Sequence, residues 1–332
     1  MTALTADDVA FVDVSRRFWH PVACGSDVVP GAVVPVRLLG EDLALWRAPG
    51  GGLGLVDDRC VHRGTALSRG EVADDGCLRC PYHGWTFAAT GGCTAIPQVA
   101  DLPIPAPARV SAYKVVEQAG LVWVCLAPPA RFPTPAFPEA ERPGWRAFAG
   151  PPVDWACSAG RNLENFIDMA HLGWIHTETF GNPDVTAVEP YTVTRTADGA
   201  ELHVDWPYPS RFAFDPDHDP VVMQTEFDYR VVLPFTVRLD SRSTGFDTAL
   251  LHAVSPVTAT ACRTFWVVAV PEDADVSDEM LVDGQLAVYD EDQWVVETQR
   301  PASLPLDPGA ELHLPCDRYA VAYRRALAEL GF

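Results

Sequence analysis

The chain has 332 residues, enough for about two domains at roughly 150 residues each, and with 48% hydrophobic and 21% charged residues it has the make-up of a globular protein. Its 24 Lys and Arg against 45 Asp and Glu leave a net charge of −21, which argues against binding to nucleic-acid phosphates or to an anionic membrane surface. No apolar run reaches the roughly 18 residues of a membrane span, and the N-terminus has no basic region leading into an apolar block, so the expectation is a cytoplasmic protein without a secretory signal.

Residues 17–48 read as short strands broken by Gly and Pro, and PGGGLG at 49–54 as a turn between two of them. A dinucleotide-binding loop is the weaker reading there, because no buried parallel strand precedes it and no helix follows. Two more strands around a Gly turn follow at 110–126, so residues 15–126 are expected to be mainly β. Eight of the 30 prolines fall between Ala127 and Pro152. Proline neither continues a helix nor donates to a central strand, which marks this stretch as the domain boundary. The division expected is 1–130, a Pro-rich connector at 131–152, and 153–332. Leu163, Phe166, Ile167, Ala170 and Ile175 recur near helical spacing and predict a helix over 160–177. Strand patterning returns over 191–271. A helix is then expected from Ser277, a good N-cap, to about residue 299, with Pro301 beyond it, and a last short helix in the tail. The fold class is α+β.

Nine cysteines, an odd number in a long chain, suit metal ligation better than a disulfide framework. Cys60-Val-His62 and Cys80-Pro-Tyr-His83 each offer one thiolate and one imidazole in a Gly-containing loop. A Rieske [2Fe–2S] centre has this donor set, two Cys on one iron and two His on the other. A zinc site is the alternative, and Cys77, which forms a CxxC pair with Cys80, would serve it; in the iron–sulfur reading Cys77 is a bystander. Downstream, NLENFIDMAHLGWIH at 162–176 brings together Asp168, His171 and His176. Two imidazoles and a carboxylate can hold Fe(II) with open positions for dioxygen. On an ideal helix Asp168 and His171 lie about 60° apart but His171 and His176 about 140° apart, so a break or bulge at Gly173 is expected. Asp290, Glu291, Asp292 and Glu297 are candidates for a third ligand. Asp292 shares a helix side with Val288, Val296 and Gln299 and is preferred, with Asp290 as runner-up.

CVHRGT and CPYHGW resemble the Rieske motifs of ring-hydroxylating oxygenases. Thr65 and Tyr82 stand where the cytochrome bc type carries an extra Cys in each loop. D-x-x-H-x-x-x-x-H at 168–176 and DQWVVETQ at 292–299 resemble the mononuclear-iron signatures of Rieske non-haem iron oxygenases. With FWHPVA, GLVWVCL and the tail LPLDPGAELHLPCDRYAVAYRRALAELG, the resemblance covers nearly the whole chain, and it is greatest to the short vanillate and dicamba O-demethylase-type enzymes. It implies an N-terminal all-β Rieske domain followed by a helix-grip (SRPBCC/START-like) antiparallel-sheet catalytic domain around an apolar pocket. Cys60, His62, Cys80 and His83 would hold the cluster, and His171, His176 and Asp292 the mononuclear Fe(II). Asp168 would bridge a catalytic His to a cluster His of the neighbouring subunit in a homotrimer. Asn165 matches a position near the iron. His252 matches one that contacts substrate in some relatives, although it equally suits a satisfied core histidine. The activity implied is hydroxylation or O-/N-demethylation of a small aromatic or heterocyclic substrate with O2. NAD(P)H electrons would arrive through a flavin/[2Fe–2S] reductase or a ferredoxin, for which Arg59, Arg63 and Arg79 offer a docking patch or only loop salt bridges. The competing function is a Rieske electron-transfer protein whose C-terminal domain only binds a ligand or partner.

Overall fold

The computed structural model describes residues 6–212, 221–307 and 309–332. It divides into two compact units, one formed by Ser15–Thr134 and the other by Pro135–Phe332 together with the residues through Val14. A helix, α1 (Ala6–Ser15), opens the chain.

The first unit is three small antiparallel sheets. β1 (His20–Cys24) pairs with a strand at the end of this unit, while β2 (Val33–Leu38), β3 (Glu41–Arg47) and β4 (Leu53–Asp57) form a meander. β5 (Glu71–Val72), β6 (Leu78–Arg79), β7 (Thr86–Phe87) and β8 (Cys93–Ala95) form a third sheet. β9 (Lys114–Gln118) and β10 (Leu121–Cys125) complete the first, in order β1-β10-β9. LVWVC in β10 is apolar throughout because this central strand is buried on both faces. Trp46, Val56, Leu67, Leu78 and Phe87 make a core into which the Cys60 and Cys80 side chains point.

The second unit is built on one antiparallel sheet of eight strands. β11 (Trp145–Ala149) lies inside the Pro-rich stretch and pairs with β18 (Ala261–Pro271), as does β12 (Val153–Trp155). β13 (Thr194–Arg195), β14 (Glu201–Phe212), β15 (Val221–Val232), β16 (Thr236–Ser243) and β17 (Phe246–Thr258) complete the order β11-β18-β17-β16-β15-β14-β13. ELHVDWPYPS in β14 alternates between buried and more exposed positions, the pattern of a strand with one face on the core. The helix expected over 160–177 is two pieces, α2 (Ala159–Phe166) and a single turn, α3 (Leu172–Ile175). The interruption comes before Gly173. The Asp168 carboxylate accepts the Ala170 backbone N–H at 2.9 Å, and this local bond displaces the helical one. Gly173 serves close packing, since a Cβ there would stand 2.8 Å from the carbonyl oxygens of both Asn182 and Val185. α4 (Asp278–Val296) starts at Ser277, whose hydroxyl accepts the Met280 N–H. α5 (Arg318–Leu330) ends on Gly331 in the left-handed conformation, φ 97°. α2 packs on β17, β18 and α4, and α5 packs on β14.

Two arginines, 3% and 4% exposed, tie α2, α5 and the chain between α4 and α5 together. Arg161 meets Glu311 at 2.6 Å, and Arg324 grips both oxygens of Glu164 at 2.5 and 2.6 Å and Glu311 at 2.5 Å. Two cations against two carboxylates leave no uncompensated buried charge. Among the described residues, no helix is long and apolar enough to cross a membrane.

Candidate active site

The two loops that carry Cys and His have one construction. The Cys60 N–H donates to the Thr65 carbonyl at 2.8 Å and the Gly64 N–H returns to the Cys60 carbonyl at 2.8 Å. Cys80, Trp85 and Gly84 repeat this at 2.8 and 3.1 Å. Gly64 (φ 75°) and Gly84 (φ 70°) occupy the left-handed conformation that closes each turn, which explains why glycine stands there. The Cys60 and Cys80 thiols are buried neighbours, and burial pushes the Cys60 thiol up. The imidazoles of His62 and His83 touch with ring centres 4.5 Å apart, and His62 stacks on Trp85 at 4.6 Å. Sulfur is thus paired with sulfur and imidazole with imidazole, as a two-iron centre requires. Four ligands of one zinc ion would converge on a point, yet among the described residues no three of these side chains bring their ligand atoms within 4.8 Å of one another. His62 Nδ1 is buried without a hydrogen-bond partner, a free donor atom for the cluster. Cys77 is half-buried, its N–H on the Asp75 carboxylate at 3.0 Å, and it does not join the set.

In the second unit His171, His176 and Asp292 converge. The two Nε2 atoms stand 3.1 Å apart, and each lies 3.4 Å from Asp292 Oδ1. Three donors on one face of an octahedral ion with bonds of about 2.1 Å would lie about 3.0 Å apart, close to this triangle. Asp292 Oδ1 is buried and has no hydrogen-bond partner, so the oxygen facing the two imidazoles is uncommitted. Burial works against a charge on His171, yet the carboxylates of Asp168 and Asp292 lift its imidazole to about 9. Burial works equally against Asp292, whose carboxyl is still held below the ordinary range by His171, His176 and the Asn165 side chain. The pocket therefore favours positive charge at the point of convergence, and the donor set fits Fe(II).

Each imidazole has a carboxylate behind it. His171 Nδ1 lies 3.4 Å from Asp168 Oδ2, an ionic contact longer than a hydrogen bond. His176 Nδ1 donates to Glu291 Oε2 at 2.9 Å, which leaves Nε2 as the free ligand atom. Glu291 also accepts the Thr179 hydroxyl at 2.6 Å and the Glu178 N–H at 3.1 Å, so one carboxylate fixes the whole turn after His176. Periodicity ranks Glu291 only as a possible third ligand. Neighbours on a helix point about 100° apart, and the structure sends Asp292 to the Nε2 atoms and Glu291 to the far side of one ring. Asp290 is exposed and away from the set.

The triangle opens on a cavity of about 500 Å³ between the sheet and α4. Phe166, Phe180, Tyr229, Leu239 and Leu250 are among the residues that line it, with Phe180 stacked on His176 at 4.8 Å and Phe166 edge-on to Tyr229 at 6.3 Å. His252 does not line it. Its Nε2 donates to Asn162 Oδ1 at 2.8 Å, its Nδ1 accepts the Tyr289 hydroxyl at 3.0 Å, and Phe166 stacks on it at 4.1 Å. Burial lowers its pKa to about 3, so this is a neutral imidazole with both nitrogens satisfied inside the wall.

Residues 18–109 match the family model of the Rieske [2Fe-2S] domain, and residues 155–331 match that of the vanillate O-demethylase oxygenase C-terminal domain. The chain is 31% identical to the methylxanthine N1-demethylase NdmA of Pseudomonas putida over 329 residues, covering 95% of this chain and 89% of the relative. The structure of Pseudomonas putida CBB5 NdmA with caffeine superposes with a TM-score of 0.86 at 29% identity, over 97% of this chain and 92% of that one. Dicamba monooxygenase bound to dicamba shares the fold, with a TM-score of 0.78 at 23% identity over 95% and 97% of the two chains.

Proposed function

Because the chain belongs to the Rieske non-haem iron oxygenases, we propose that it is the oxygenase component of a multicomponent monooxygenase. It hydroxylates or O-/N-demethylates a small aromatic or heterocyclic molecule with O2. NAD(P)H supplies the electrons through a flavin/[2Fe–2S] reductase or a ferredoxin. The observation that carries this reading is the convergence of two Nε2 atoms and an unpartnered Asp292 oxygen at one end of a largely apolar cavity. An electron carrier has no use for that arrangement.

When bound, the cluster supplies electrons one at a time and the mononuclear iron supplies the site of oxygen activation. Cys60, Cys80, His62 and His83 hold the first, and His171, His176 and Asp292 the second. In balance, substrate, O2, two electrons and two protons give hydroxylated substrate and water; hydroxylation of an O- or N-methyl carbon is followed by loss of formaldehyde. Glu291 keeps the His176 proton on Nδ1, and the Asn165 side chain supports Asp292. Phe166, Phe180 and Tyr229 keep water from the reacting carbon. Asp168 serves as the link from His171 to a cluster histidine of a neighbouring subunit in a homotrimer. Its partly exposed carboxylate and the exposed Trp174 and Trp294, near the metal ligands in sequence, support that role.

Total iron, zinc and acid-labile sulfide per chain, on anaerobically purified protein, test the reading. Roughly three iron to two sulfide without zinc is expected, falling to about two to two in His171→Ala with the cluster spectrum unchanged. Retained product formation in His171→Ala refutes the site.

A further inference from the structure

The cavity wall formed by β15, β16 and β17 is a grid whose rows are set by strand register. The row at the metal-binding end is Tyr229, Leu239 and Leu250, which face one another across the three strands. Its position follows from Phe166, two residues before Asp168, whose ring meets that of Tyr229 edge-on at 6.3 Å, and from His252, next after Leu250 on the same face of β17, which bonds Tyr289 one turn before Asp292 at 3.0 Å. One step outward the row is Phe227, Ser241 and Thr248, and the next is Thr225, Ser243 and Phe246. All three rows line the cavity. Same-face neighbours on a strand are about 7 Å apart, roughly the width of an aromatic ring. The wall is therefore two leucines and a tyrosine ring beside the metal ligands, and it carries aliphatic hydroxyls one ring further on. On α4, Gln285 is the polar lining residue besides Asp292; it stands seven residues before Asp292, about 10 Å along the axis, between Val288 and Leu281.

Charge is distributed just as unevenly. No Lys or Arg is among the described residues that line the cavity. Apart from His171, His176 and the metal they would hold at the reacting end, the charged groups on the lining are the carboxylates of Glu178 and Asp292. A substrate carboxylate seated on the hydroxylic rows would lose its water without gaining a cation, whereas neutral amide or carbonyl groups would meet hydroxyls of matching polarity.

We infer that the cavity selects an uncharged aromatic or heteroaromatic substrate. Its oxidisable alkyl carbon lies at the metal-binding end, and a hydrogen-bonding edge lies on the Ser241–Thr248 row. The inference deepens the oxygenase reading and rests on it for the position of the reacting end. It divides the substrates open to such an enzyme by charge: neutral amides, lactams and heterocycles belong, benzoate-type acids do not.

The test uses the holoenzyme and a panel of methoxy- and N-methyl-substituted one- and two-ring compounds, each as primary carboxamide and as carboxylate, titrated anaerobically by calorimetry. Amides are expected to bind, at least roughly tenfold tighter than their carboxylate partners. Ser241→Ala with Thr248→Val should weaken amide binding by about tenfold and change binding of the parent ring, lacking either group, by less than about twofold. Ser241→Arg should raise carboxylate affinity. Carboxylates that bind as tightly as amides, or a panel in which no amide binds, overturn the inference. Calorimetry needs no turnover, and iron is counted separately. A protein that prefers amides yet holds no mononuclear iron sinks the oxygenase reading alone; one that oxidises carboxylates in preference sinks the inference alone.

Discussion

Glu291 offers the sharpest test of how the metal-binding triangle is held. Its carboxylate accepts three hydrogen bonds, from His176 Nδ1, the Thr179 hydroxyl and the Glu178 N–H. Glu291→Ala removes both acceptor oxygens, and with them all three bonds, and leaves the Nδ1–H of a His176 that is 2% exposed without a partner. Removal of such an outer carboxylate costs about 10- to 100-fold in metal affinity, or about 1.4 to 2.7 kcal/mol. Glu291→Gln should fall at the lower end. Its single carbonyl oxygen can serve His176 and Thr179, but its NH2 group must then face the Glu178 N–H, donor against donor. Turned the other way, the NH2 would push the His176 proton onto Nε2 and remove the ligand lone pair. The assay is an anaerobic Fe(II) titration against a chelator of known affinity, with the visible spectrum of the cluster as the control for an intact chain. Thr179→Val, which loses a hydroxyl contact but leaves the imidazole its acceptor, should bind iron within about threefold of the parent. If Glu291→Ala binds Fe(II) as tightly as the parent while the cluster is intact, the carboxylate does not set the ligand and the reasoning fails.

Gly173→Ala should lower the unfolding free energy by about 1–3 kcal/mol, because the new Cβ meets two carbonyl oxygens that cannot both retreat. It should also displace α3 with its flanking histidines, so that denaturant titration and iron content fall together while the cluster spectrum is kept. Glu311 carries a prediction about acid. Hydrogen bonds from Arg161 and Arg324 hold its pKa at about 2, against an ordinary 4.5, so its stabilisation is complete above about pH 4.5 and is lost as pH falls toward 2. Glu311→Gln should therefore melt below the parent at neutral pH, with the gap shrinking below pH 4.5; a gap that is constant with pH would show that the charge is not what matters.

What was legible in the sequence follows from how local each feature is. The Cys–His pairs lie within four residues of each other, and the loop glycines that close their turns stand beside them, so the cluster loops announce themselves. The β-then-α+β order follows from strand and helix periods, and the family resemblance supplies the helix-grip arrangement that the antiparallel sheet around α4 displays. Asp292 could be placed on the buried side of a helix by counting, and the structure brings it to the two histidines. The break between α2 and α3 could not be counted. It depends on a side chain competing with the helix for one N–H at Ala170, and apolar spacing carries no trace of that bond. His252 shows the same limit: both its partners, Asn162 and Tyr289, come from other elements, and only their hydrogen bonds separate a wall residue from one that faces the cavity.

The division has a chemical consequence. A metal needs a few donors at fixed short distances, and local motifs carry most of them, so ligand candidates survive in a single sequence as spacing. Substrate selection depends on which residues from three strands share a row. Phe227, Ser241 and Thr248 become neighbours only through the register of β15, β16 and β17, and a one-residue slip in any of those strands would turn its side chain out of the cavity. The hydroxylic row is thus a property of the folded sheet. On the reading proposed above, two chains with the same iron motifs can hold the same metal and differ in whether they take a neutral or an anionic molecule, and the residues that decide between them lie one row beyond Tyr229, Leu239 and Leu250.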